Sequence, residues 1–105
     1  MHKHAKTLLV IFAEAVLEKR IVADAQRLGV HGYTAWDVRG ASGLDTAHST
    51  QREGAWEADR TIVMKLICAP ELADTLAEHV MRTYAADYGV TLYFSDVHVL
   101  RPDKF

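Results

Sequence analysis

Gly32-Tyr33-Thr34-Ala35-Trp36-Asp37-Val38-Arg39-Gly40 is the stretch on which the fold turns. Tyr33, Ala35 and Asp37 alternate with Thr34, Trp36 and Val38, and the β-branched and aromatic content predicts a strand between Gly32 and Arg39. The polar segment that follows, as far as Trp56, has no period of its own. Each ordered backbone residue costs roughly 1–2 kcal/mol, so a connection of this length in a compact chain is expected to be functional or disordered. A mobile loop over about 40–57 is therefore the first expectation.

On the N-terminal side, Leu8-Leu9-Val10-Ile11-Phe12 is a continuous apolar run that suits a strand in the middle of a sheet. From Glu14 to Leu28, Leu17, Ile21, Ala25 and Leu28 recur at three- and four-residue steps, while Glu18, Lys19, Asp24, Gln26 and Arg27 face away. Gly29 supplies the stop of this amphipathic helix. On the C-terminal side, Thr61 to Ile67 predicts a third strand and Pro70-Glu71 opens a second helix. Its apolar stripe is Ala73, Leu76, Ala77, Val80 and Tyr84. Val90 to Leu100 returns to strand, with Asp96 as an expected bend or bulge.

The resulting order, β-α-β-loop-β-α-β, is the split βαβ or ferredoxin-like arrangement of the α+β class. Two helices should cover one face of a four-stranded antiparallel sheet. Trp36, Val63, Tyr93, Val97 and Val99 give the other face more apolar surface than two helices can hide, which predicts a homo-oligomer.

Composition narrows the function. The 105 residues, half of them apolar, make one domain with a single modest core. A net charge of -2 argues against a nucleic-acid partner, which would call for a basic face. Cys68 is the lone cysteine, expected as a small buried apolar residue, so no intramolecular disulfide forms. With no signal-peptide pattern and no apolar run near the ~20 residues of a membrane span, a soluble cytoplasmic protein is expected.

In this order the chain resembles the PII signalling superfamily, most closely the PII-like proteins linked to bicarbonate transporters and carboxysomes. The resemblance is carried by Gly32-Tyr33-Thr34 with Val38 and Gly40, by Ala86-Asp87-Tyr88-Gly89-Val90, and by Asp96-Val97-His98-Val99-Leu100. It implies a homotrimer that binds adenine nucleotides in clefts between subunits and acts on a target through its long loop. By position it implies that Gly32, Tyr33 and Thr34 line the adenine side and that Gly40 sits at the loop base. It also implies that Arg60 and Arg101 hold phosphates, a role suited to the paired donors of a guanidinium.

The chain departs from the classical members in having Ala85-Ala86-Asp87-Tyr88-Gly89 where they have a glycine-rich phosphate loop and a lysine. ADP, AMP or cyclic AMP is then expected before ATP, with Gly89 and Val90 giving backbone contacts. The loop from Ala41 to Ala55 contains no tyrosine, so it has no acceptor for uridylylation. The early part of the loop lacks the arginines of the relatives, so either Arg39 and Arg52 reach the phosphates or the loop serves another partner. Bicarbonate is implied as a co-ligand, with Arg39 and the turn after it as the anion candidate. The implied target is a bicarbonate transporter or a carboxysome component.

No nucleophile-base motif, P-loop or HExxH is present, and the expected role is that of a sensor rather than an enzyme. Trp56, closing the polar loop, suits partner docking. The alternative is a trimeric CutA-like metal-tolerance protein of the same fold. Of the six histidines, His2 and His4 flank Lys3 and the other four share no ligand spacing, so no metal site is expected.

Overall fold

The computed structural model describes residues 1–39 and 60–105. Within them β1 spans His4–Glu14, α1 Glu18–Leu28, β2 Thr34–Val38, β3 Thr61–Cys68, α2 Pro70–Tyr84 and β4 Val90–Val99. Short 3-10 turns at Ala15–Leu17 and Pro102–Lys104 precede α1 and follow β4. The four strands form one sheet in the order β2-β3-β1-β4, and every neighbouring pair is antiparallel. This is the expected ferredoxin-like topology. The Gly40 position and the 40–57 and Trp56 expectations lie outside the described residues.

Period-two alternation divides the sheet into two faces. Leu9, Ile11 and Ala13 of β1, with Ile62, Met64 and Leu66 of β3, face the helices. There they meet Leu17, Ile21 and Ala25 from the first helical segment and Ala73, Leu76 and Val80 from α2 in one buried cluster. Cys68 lies in the same core as a free thiol. The opposite face carries Leu8, Phe12, Trp36, Ile67 and Tyr93. Val63 and Val99 are already buried within the single chain, whereas Trp36 and Tyr93 remain about half exposed.

Several boundaries differ from the sequence reading, each for a physical reason. β1 extends from the apolar run into Lys6, Thr7 and Glu14 because it is paired on both sides, and ladder hydrogen bonds do not require apolar side chains. Glu14 thus belongs to the strand, and α1 proper begins only after the 3-10 turn. Asp96 makes no bulge. It pairs with Thr7 in a register that runs unbroken from His4↔Val99 to Ala13↔Val90, so pairing prevails over aspartate's weak strand preference. Gly32 and Tyr33 precede β2 rather than forming part of it.

Asp24, expected on the solvent side of α1, is buried at 7% exposure. Its Oδ2 accepts a 2.6 Å hydrogen bond from the hydroxyl of Tyr84 on α2, and its Oδ1 a 3.0 Å bond from Arg27. His79 Nε2 stands 3.1 Å from the same carboxylate but makes no hydrogen bond of proper geometry. The polar side of α1 therefore cross-links the two helices through one carboxylate.

Gly29 ends α1 at φ 96°, the left-handed region that L side chains rarely adopt. The amides of Gly29 and Val30 return to the carbonyls of Gln26 and Ala25, which is the Schellman arrangement. No atom crowds an added Cβ, so the cost of Gly29→Ala is conformational. A loss of about 1–2 kcal/mol of stability is expected from urea denaturation.

Candidate functional site

The C-terminal end of β1 organises one end of the sheet. Glu14 N–H donates to the Gly89 carbonyl at 3.2 Å, and Ala15 N–H donates to the Arg60 carbonyl at 2.9 Å. In return, Gly89 N–H donates to the buried Glu14 carboxylate. Two consecutive residues thus hold the starts of β3 and β4 on either side of β1. Arg60, Gly89 and Val90 lie at this end of the sheet, flanking β1, and Arg39 follows the end of β2 at the same end.

The side chain of Arg60 is half exposed, and its Nη2 lies 3.4 Å from Asp37 Oδ1. Asp37 is itself mostly exposed, so this pair contributes little to stability. The segment between α2 and β4 is held in place locally. The amides of Asp87 and Tyr88 donate to the Tyr84 carbonyl at 3.1 and 3.0 Å. Arg20 Nη1 donates to Tyr88 Oη at 3.4 Å and its guanidinium lies over the Tyr88 ring at 5.9 Å.

Gly32, Tyr33 and Thr34 occupy a different place, at the start of the edge strand β2. Tyr33 and Thr34 border a groove of about 470 Å³ on the face away from the helices, together with Trp36, Lys65 and Phe105. Lys65 Nζ sits 5.4 Å from the Trp36 ring centre, a cation–π contact. Phe105 is carried into this groove by the tail beyond β4, and Arg101 lies at the root of that tail, exposed.

The expected nucleotide residues therefore fall into two sets within one chain. Arg39, Arg60, Gly89 and Val90 stand at one end of the sheet. Arg101 stands beyond the far end of β4, twelve residues on from Gly89, and the ten residues of β4 between them span roughly 30 Å. No single mononucleotide bridges that distance. Lys65, Phe105, Arg20 and Glu14 adjoin these sets and were not expected as site residues. Glu14 alone left a signal, as an acidic residue closing an apolar strand.

A larger groove of about 620 Å³ between α2 and β4, bordered by Met81, Leu92 and Phe94, contains none of the expected nucleotide residues except Val90. Among the described residues no three His, Cys, Asp or Glu side chains gather into a candidate metal site. The His2 and His4 rings meet edge to face at 4.6 Å. No helix among the described residues is long and apolar enough to cross a membrane.

Comparison with known proteins agrees with this architecture. A PII-like signalling protein from Thermus thermophilus is 31% identical, with the match covering 100% of this chain and 99% of that one at a TM-score of 0.80. CPII from Thiomonas intermedia, bound to ADP and bicarbonate, is 25% identical over 99% of this chain and 97% of its own, with a TM-score of 0.72. The same protein bound to ADP, AMP and acetate gives 23% identity, coverage of 100% and 98%, and a TM-score of 0.75, a likeness of fold. No curated protein matches the chain significantly. The family model described as nitrogen regulatory protein P-II matches residues 6–104, and with the fold and the Thermus relative it establishes that this chain belongs to the P-II family of signalling proteins.

Proposed function

We propose that the protein is a homotrimeric sensor that binds adenine nucleotides in clefts between subunits and regulates a target in inorganic-carbon uptake or fixation. The observation that carries this reading is the division of the expected ligand residues into two sets. Arg60, Gly89 and Val90 lie at one end of the sheet, and Arg101 lies too far away in the same chain to join them. A cleft between two copies lets one subunit supply the first set and its neighbour the second.

The exposed face of the sheet supports association. Trp36 and Tyr93 are each about half exposed there, and Phe12 packs against Tyr93 with ring centres 6.3 Å apart. Such an apolar face is the kind of surface that a second copy covers. In this reading Gly32, Tyr33 and Thr34 lie toward the adenine, and Gly40 at the root of the 40–57 segment. Arg60 and Arg101 meet the phosphates, and Arg39 is the candidate for bicarbonate. ADP, AMP and cyclic AMP are the proposed effectors, by analogy with the ADP, AMP and bicarbonate held by CPII.

Regulation follows from differential binding. A nucleotide that favours one arrangement of the 40–57 segment, read by a bicarbonate transporter or a carboxysome component, needs a coupling of only ~1–3 kcal/mol to act as a switch. Calorimetric titration with AMP, ADP, cyclic AMP and ATP, each with and without bicarbonate at fixed pH, tests the proposal. Micromolar binding that bicarbonate alters is expected. The absence of heat with every nucleotide would refute it.

A further inference from the structure

We infer that the Glu14 carboxylate is a specificity-determining residue that restricts the nucleotide site to short phosphate chains, an inference that rests on the nucleotide reading above. A backbone amide at the start of a strand, preceded by a turn, is a ready donor for a phosphate oxygen. At Gly89 that donor is already taken, because its N–H points to the Glu14 side chain of the same subunit. Glu14 as a residue is only 4% exposed, and its own backbone N–H reaches the Gly89 carbonyl, so side chain and main chain both hold this glycine. It fills the place at this amide that an anion would otherwise take.

Its charge acts in the same direction as its position. Ala15, the next residue, carries the Arg60 backbone, so Glu14 lies between the strand that brings the cation and the loop that would cradle a terminal phosphate. Asp37 stands beside the Arg60 guanidinium, and Asp87 belongs to the same loop as Gly89. Asp37 thus offsets part of the Arg60 charge. Each further phosphate adds negative charge close to the Glu14 carboxylate, and the Gly89 amide, already occupied, is not there to meet it. AMP and ADP are tolerated on these terms, and ATP is disfavoured by repulsion from a buried anion that solvent screens poorly.

A purely structural role would alter stability and weaken all nucleotides alike. The discriminating quantity is therefore the ratio of dissociation constants for ATP and AMP, measured calorimetrically without magnesium at constant ionic strength. Glu14→Gln keeps an acceptor for the Gly89 amide and removes the charge, and Glu14→Ala removes both. The ratio is expected to fall about ten-fold or more in Glu14→Gln, and at least as far in Glu14→Ala. An unchanged ratio, within two-fold, in a folded Glu14→Gln protein would overturn the inference while leaving the nucleotide reading intact. The unmodified protein provides a check that depends on no variant: its affinity must fall from ADP to ATP, and tighter binding of ATP would also overturn the inference. Failure to bind any of the three would refute the nucleotide reading itself, and this inference with it.

Discussion

Replacing Arg60 by alanine is expected to weaken AMP and ADP binding roughly ten- to a hundred-fold, with little change in stability. A charge-assisted hydrogen bond is worth about 1.5–3 kcal/mol, which corresponds to that range. Little change in stability follows from the position of the side chain, half exposed and paired with a still more accessible Asp37. Exposed pairs of this kind contribute about 0–1 kcal/mol. The Arg60 backbone contact, through which Ala15 anchors β3, does not depend on the side chain and survives the substitution. Calorimetry together with a urea unfolding curve on the same sample separates the two effects. Arg101→Ala should weaken binding in the same way, since Arg101 is exposed at the root of the C-terminal tail.

Asp24→Ala is expected to cost about 2–4 kcal/mol at neutral pH. It leaves the hydroxyl of buried Tyr84 without its 2.6 Å acceptor and removes the bond from Arg27. An unsatisfied buried donor costs about 1–3 kcal/mol, and the lost bond to a charged group adds to this. The same carboxylate makes the difference pH-dependent. Burial pushes the Asp24 pKa up, but the hydrogen bonds from Tyr84 and Arg27, with His79 close by, outweigh it and hold the group below its ordinary 3.8. A carboxyl with a depressed folded-state pKa contributes stability that is present above the unfolded value and lost as pH falls through the folded one. The gap between the two proteins should therefore stay constant from pH 7 to about 5 and narrow below 3.8. At the other extreme, burial and the Asp24 carboxylate raise the Tyr84 pKa to about 12. That contribution is complete below pH 10 and is lost as pH rises toward 12. Denaturation midpoints across the pH range check both limbs.

The fold was legible because its signals are local. The apolar run around Val10, the three- and four-residue steps of Leu17, Ile21 and Ala25, and Pro70 at the start of α2 each specify an element through period or backbone chemistry. The order of those elements then leaves few topologies. Asp24 was misread because helical periodicity assigns a carboxylate to solvent, and the partner that makes its burial tolerable, Tyr84, lies 60 positions away. Asp96 was misread because its strand state is imposed by the partner β1.

The candidate site was legible only as a set of residue types. Nothing in the spacing of Arg60, Gly89 and Arg101 reveals that two of them share one end of the sheet and the third stands off the other. That depends on the antiparallel register of β1 with both neighbours. Glu14 illustrates the limit. In sequence it is an acidic residue after an apolar run, and only the fold brings it to an amide 75 positions away.

The central claim is that the nucleotide site is shared between subunits, and mixing two defective variants tests it most directly. Arg60→Ala and Arg101→Ala proteins, each weak in binding alone, would be unfolded, combined in equal amounts, refolded together and titrated with ADP. In a cleft that takes Arg60 from one subunit and Arg101 from its neighbour, random assembly restores both arginines at about a quarter of the sites. Tight binding at that stoichiometry is the predicted result. A mixture that binds no better than its components would contradict the shared cleft.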